Sequence, residues 1–446
     1  MAEIIPFRAL HYNPGLVGDL SNVVTQPYDK ISPEMQARYY GLSPYNLARI
    51  IRRRPGGGGA DADYQGAADD FRDWIGRGVL VSDGQPALYV YHQEYEVPGR
   101  PGDRRTRRGF IGLCRLEDYG ARIVHRHEET LSGPKADRLE LLKATRAHFG
   151  QIFLLYSDPE GRIERELGTP SAANPWERVE DEYGTVHSVW RLADASSMAR
   201  IAGMMGEKKL LIADGHHRYE TALAYRDRCR GQGGNARAEY VMATLVRMET
   251  DGLTILPTHR VVHGLAGFDW TAFGADAGRF FEVQAVQAAG PASAWVAAFA
   301  ARLAEAGSER PALGAYAGPG RLALLRLRAD ADLTGVLATV LADVPAGQRR
   351  LDVVLLHRLI LQGALGIDRH AVREERNLRY VRELRAAAEL VESGAADICF
   401  FMNATPMEAV RDNAFAGDPL PQKSTDFYPK LLSGLAAYWL DNPAGT

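Results

Sequence analysis

Cysteine is scarce, with three in 446 residues. Cys114, Cys229 and Cys399 form no Cys-x-x-Cys pair, which argues against a disulfide framework and a cysteine-rich zinc site and suits a reducing compartment. No run of about 18 apolar residues occurs, so no membrane-spanning helix is expected. Residues Met1 to Arg8 lack the basic start and apolar stretch of a secretory signal. The expectation is a cytoplasmic protein without a membrane partner. Charge imbalance is missing as well: 53 basic against 56 acidic side chains give a net charge of −3. That leaves no electrostatic ground for nucleic acid as a partner of the whole chain. No internal repeat is present, which excludes solenoids and propellers.

What is present is ordinary globular material: 46% apolar and 24% charged residues, in a chain long enough for two or three domains. Helices are predicted from Ser32-Pro33-Glu34 onward and over 64–77, 137–149, 291–306 and 351–366. In the last of these Leu351, Val354, Leu355 and Leu359 form an apolar face. Strands are predicted over 87–97 and 109–116 as a hairpin, and over 151–156, 209–213, 240–248 and 253–256. Asn22 to Asp29 reads as a short extended piece ended by Pro27, and Arg52 to Gly59 as a loop. The architecture is mixed α/β. Residues 5–440 read as one module with lobes 1–165 and 166–446, divided in the polar stretch 165–178.

The central feature is Leu210-Leu-Ile-Ala-Asp-Gly-His-His-Arg218. A buried strand turns at Asp214-Gly215 into a helix over 218–230, whose first backbone N–H groups are left pointing outward. That end attracts anions by roughly 0.3–1 kcal/mol, too little alone to hold phosphate in water. His216, His217 and Arg218 supply further donors. Asp214 carries the opposite charge and suits a different role, which is to hold Mg²⁺, to orient a histidine, or to take a proton from a hydroxyl. Helix capping by Asp214 and surface exposure of the histidines are the bland alternative. A zinc pair is disfavoured because adjacent side chains rarely face one metal.

Two flanking clusters stand out. His127 to Arg138 places His127, Glu128, Lys135, Asp137 and Arg138 around a Gly-Pro turn, suited to a polyanion or metal-phosphate complex, with Glu128 a second Mg²⁺ candidate. Gly417 to Ser424 has the first glycine and the Lys-Ser of a P-loop. However, Gln422 replaces its last glycine, and Pro419 and Pro421 remove N–H donors, so it is no Walker loop. Lys423, Ser424 and Thr425 can still reach a ligand by side chain. Asp29, on a turn stiffened by Pro27, is the candidate base outside the central motif; a turn aspartate bonding its own backbone is the alternative.

The order Asp-Gly-His-His-Arg-x-x-x-Ala at 214–222 resembles the Gly-x-x-Arg phosphate motif of the ParB and sulfiredoxin superfamily, which includes kinases acting on free serine. The chain is also similar, over almost its whole length, to an uncharacterised bacterial and archaeal protein family. Its signatures are Pro6-Phe-Arg, Pro27-Tyr-Asp, His127 to Arg138, the central motif, Pro257-Thr-His-Arg260 and Pro421 to Lys430. The resemblance implies a ParB/sulfiredoxin-like phosphate- or nucleotide-binding core with additional α/β lobes. It implies ligand contacts from Gly215, His216, His217, Arg218, His127, Lys135, Arg138, His259, Arg260, Lys423, Ser424 and Thr425. Sulfinic-acid reduction is not expected, because His216 stands where that chemistry needs cysteine.

These features point first to a small-molecule phosphotransferase. Asp214, Asp29 and His216 would be its catalytic residues, with Mg²⁺ as cofactor. ATP, ADP or pyrophosphate would be the donor, and free serine or a similar hydroxylated metabolite the acceptor. The alternatives are a ParB-like nucleotide-binding regulator without turnover and a metal-dependent hydrolase. Arg218 is expected to hold the phosphate ligand and to add little to the fold.

Overall fold

The computed structural model describes residues 1–54, 63–129, 133–168, 173–329, 336–443 and 445. The chain is mixed α/β and divides into two units. The first comprises Met1–Arg126, Thr130–Thr254 and Phe427–Thr446; the second, His127–Glu129 and Ile255–Asp426. Residues 165–178 lie within the first unit. Of the expected loop at 52–59, the part from 55 onward lies outside the described residues.

The first unit is organised by a sheet whose strands run, in spatial order, Val124–Arg126, Leu210–Asp214, Ile152–Tyr156, Tyr240–Arg247, Arg104–Arg115, Leu88–Glu96, Val186–Leu192 and Glu177–Glu180. Ile4–Ile5 adds to Arg104–Arg115. The continuous apolar runs at 152–156 and 210–213 are buried along their length, as strands covered on both faces must be. The expected hairpin forms, but its second strand begins at Arg104, because the ladder continues outward to pair Glu96 with Arg104. Helix Tyr64–Gly76 is capped by Asp63, which accepts from Gly66 N at 2.8 Å.

Three expectations in this unit are corrected. The helix placed over 137–149 runs Gly133–Thr145, and Ala147–His148 pairs with Tyr438–Trp439 instead. Asn22 to Asp29 is not one extended piece, because it overlaps two 3₁₀ turns, Leu20–Asn22 and Tyr28–Lys30. Asp19 drives the first by accepting from Ser21 N at 2.9 Å. The helix predicted from 218 starts at His216 and runs to Gly231.

In the second unit a fully antiparallel sheet runs Phe281–Val286, Leu322–Leu327, Ala312–Tyr316, Ile398–Phe401, His259–Val262, Leu378–Val381. Helix Ala292–Glu309 packs on one face through Trp295, Phe299 and Leu303. The single helix expected over 351–366 is instead a short α-helix, Asp352–Leu355, continued by a π-helix, Leu356–Ala364. The stretched period buries Leu356, Leu359, Ile360 and Leu361 together. Among the described residues no helix is long and apolar enough to cross a membrane. The three cysteines are buried and unpaired.

Asp352 opens that short helix. Its carboxylate accepts from Ala312 N and from Asn403 Nδ2, each at 3.2 Å. Burial raises its pKa from about 3.8 to about 7. The protonated acid therefore favours the folded state fully below the unfolded value, and this stabilisation is lost as pH rises from about 4 through 7, by up to roughly 4 kcal/mol. Neutral His92, His148, His259 and His357, all with pKa values lowered chiefly by desolvation, act in the opposite sense as pH falls below 6.5. The Asp352 contribution is thus the difference between wild type and Asp352→Asn in urea unfolding at pH 5 and pH 8. A difference that does not change between the two pH values would assign the linkage elsewhere.

Candidate functional site

Asp214 ends its strand at a β-bulge, since the register with Ile152–Tyr156 shifts between Ile212 and Asp214. A bulge turns one side chain away from the alternation of its strand. The next residue, Gly215, takes a left-handed conformation at φ 91° and begins helix His216–Gly231 without any side-chain cap. A Cβ at 215 would also meet the Arg218 guanidinium at 3.0 Å. Two constraints therefore ask for glycine here.

Asp214 does not cap the helix. Its Oδ2 accepts from Arg218 Nη2 at 2.6 Å and its Oδ1 from Lys430 Nζ at 2.9 Å. Burial alone would raise the Asp214 pKa, but Lys430 and Arg218, with Lys30 behind them, outweigh it and hold the carboxyl well below the usual carboxylate range. Asp214 is thus held as an anion by three cations.

Arg218 is also tied to the strand, donating from Nη1 to Gln151 O at 2.5 Å. Lys430 is placed by a buried support: Gln93 Nε2 donates to Lys430 O at 2.9 Å, and Arg107 donates to Gln93 Oε1 at 2.9 Å and to Tyr428 O at 3.3 Å. Arg107 is 1% exposed, and burial brings its pKa down to about 10 despite the favourable charge of Asp214.

Beside Arg218 opens a cleft of about 70 Å³ walled by Tyr28, Arg138, Phe149, Thr221 and Ser433. The Arg138 guanidinium stacks over Tyr28 at 4.2 Å and donates to Ile51 O at 2.7 Å and to Asp137. Asp29 is exposed on the same 3₁₀ turn as Tyr28. Lys135 is paired with Glu220. His216 and His217 are half-buried in the first turn of the helix. The structure thus brings together Asp214, Gly215, His216, His217 and Arg218, with Arg138 and the turn carrying Asp29 at the neighbouring cleft.

The remaining predicted residues belong to the second unit and form a cluster of their own. Glu128 accepts from Thr425 N at 2.9 Å and Thr425 Oγ1 at 3.0 Å, and from Lys423 N at 3.3 Å. His127 Nε2 meets Thr425 Oγ1 at 2.6 Å. Arg260 Nη2 donates to Lys423 O at 2.9 Å, and Thr405 Oγ1 to Ser424 O at 2.9 Å. This network fixes the loop around Lys423, Ser424 and Thr425, and Glu128 takes the donors a phosphate would need. His259 is corrected to a core residue. It is 2% exposed, accepts Met402 N at Nδ1 at 3.1 Å, and burial lowers its pKa to about 3, so it carries no charge for an anion.

Among the described residues no three His, Cys, Asp or Glu side chains are grouped to hold a metal ion. Both candidates for Mg²⁺ are committed elsewhere, Asp214 to two cations and Glu128 to Lys423 and Thr425. These residues do not fit a Mg²⁺ ion held by protein ligands alone.

Lys430, Lys30 and Arg107 were missed as site residues. The first two stand inside or next to the signatures Pro421 to Lys430 and Pro27-Tyr-Asp, which was the available signal.

The family model "Protein of unknown function (DUF1015)" matches residues 4–354. The chain belongs to this family. No curated protein matches the sequence. Among solved structures, a free serine kinase in complex with AMP is 12% identical with a TM-score of 0.35, over 71% of this chain and 86% of that one. A conserved hypothetical protein from Pyrococcus furiosus is 12% identical, TM-score 0.34, over 71% and 90%. A C-terminally truncated SbnI from Staphylococcus aureus is 11% identical, TM-score 0.34, over 72% and 85%.

Proposed function

We propose that this member of the family is a small-molecule phosphotransferase that holds a donor phosphate at the entry of helix His216–Gly231. The observation that carries the reading is the convergence of Arg218, Lys430 and Lys30 on the Asp214 carboxylate, beside a helix start with no side-chain cap. Free N–H groups, the helix dipole and converging cations are the standard means of binding phosphate. The half-buried His216 and His217 add donors at the same end.

The geometry suggests different work for the two acids. An aspartate held ionised by two cations is a weak base, because proton acceptance follows basicity. Asp214 therefore aligns Lys430 and Arg218. Asp29, exposed on the turn beside the cleft, is the group to take the proton of an acceptor hydroxyl. Positioning and electrostatic stabilisation supply most of the rate in phosphoryl transfer. ATP, ADP and pyrophosphate are the candidate donors, and hydroxylated amino acids, free serine first, the candidate acceptors.

Incubation of each donor with each acceptor and Mg²⁺, followed by phosphorus NMR, should yield a phosphoester with one pair. Asp29→Asn should slow its formation by about 10²–10⁴ while donor binding persists. If nucleotide binds and shifts the conformation but no pair gives product, the protein is a nucleotide-binding regulator instead.

A further inference from the structure

The second unit holds a cleft that the proposed phosphotransfer does not use. Its volume is about 340 Å³, and its lining includes Val354, Ile367 and Pro419 with His357, Arg358 and Tyr380. Two features set it apart from a surface groove. His357 and Arg358 come from the first turn of the π-helix Leu356–Ala364. π-Helical turns are rare and concentrate at functional sites. The second feature is unsatisfied polarity: no described residue hydrogen-bonds His357 Nε2 or the Tyr380 hydroxyl, although both atoms are buried. Arg260 lies behind them with its Nε also unpartnered and its guanidinium 5.2 Å from the Tyr380 ring. Buried polar atoms are almost always paired, so two such atoms on residues that line one cleft, His357 Nε2 and the Tyr380 hydroxyl, point to a ligand that completes them.

The charges define what kind of ligand. Arg358 and Arg369 both pair with Asp343, and Arg373 stands 3.8 Å from Glu129. The rim arginines thus have acidic partners. Burial and the charge of Arg260 lower the His357 pKa to about 3, and burial raises that of Tyr380 to about 12. At neutral pH the cleft presents a neutral imidazole and an intact phenol beside Val354, Ile367 and Pro419. One flat edge carrying a donor and an acceptor would satisfy both, with its faces against valine, isoleucine and proline.

We propose that this cleft binds an uncharged heteroaromatic ring, of which a nucleobase is the type, with the ring edge hydrogen-bonded to His357 Nε2 and the Tyr380 hydroxyl. The site stands on residues of the second unit alone and does not depend on the phosphotransferase reading.

Adenosine and nicotinamide serve as probes, titrated into full-length protein carrying ¹⁵N-histidine. At least one should shift the His357 Nε2 resonance saturably at up to millimolar concentration. His357→Leu should abolish binding of that probe. Tyr380→Phe removes a single oxygen and should weaken binding about tenfold. Since the deleted hydroxyl has no protein partner, the Phe variant should melt no lower than wild type, which keeps the test valid should the Leu variant fail to fold. A silent His357 resonance with both rings, or equal affinity in Tyr380→Phe, overturns the proposal.

Discussion

Arg218→Ala is expected to destabilise the protein by roughly 2–3 kcal/mol and to abolish its affinity for pyrophosphate. Removing one partner of a buried ion pair costs about 3–5 kcal/mol, because the other charge is stranded. The cost here falls below that range since Lys430 still faces Asp214 at 2.9 Å. The lost bond to Gln151 O adds to it. Urea unfolding reads the first effect and equilibrium dialysis the second. Arg218→Lys should recover part of the stability, because it restores a charge but not the two-pronged geometry. An unchanged unfolding midpoint in the alanine variant would return Arg218 to a purely ligand-facing role, as its motif alone suggests.

Asp214→Asn should separate binding from turnover. The amide keeps the shape of the acid but removes the negative charge that Lys430, Arg218 and Lys30 hold, so the site becomes more positive. Pyrophosphate affinity is expected to hold or rise, while phosphoester formation drops by about 10²-fold, since Lys430 and Arg218 lose the anion that aligns them and small misplacements carry costs of that order. Single-turnover kinetics beside equilibrium dialysis would show the split. Loss of affinity with unaltered turnover per bound donor would make Asp214 a binding residue only.

The central motif was legible because its signals are local. Four apolar residues at 210–213 require burial, Gly215 permits the left-handed turn, and the helix composition follows at once. The ion pairs were not legible, because Lys430 lies 216 residues from Asp214 and its lysine looks like any other inside a signature. His259 misled for the converse reason: sequence shows a histidine beside an arginine but not the strand His259–Val262 that buries it. At 351–366 the apolar spacing fits an ordinary helix, and the wider turn emerges only when Leu356, Leu359, Ile360 and Leu361 must fill one core.

The order of synthesis separates the parts of the first unit. Asp214 and Arg218 leave the ribosome together and can pair at once, but Lys430, 216 residues after Asp214, and the backbone held by Arg107 belong to the later segment Phe427–Thr446. Until then the nascent chain presents Arg107 and Asp214 without the segment that covers them, and domains otherwise fold in order of synthesis. A ribosome stalled before codon 427 would therefore display an incompletely neutralised acid and an open edge to chaperones and proteases. On the proposed reading, competence to bind phosphate arrives only with the segment that carries Lys430, so a product cut short before it would be inactive from birth.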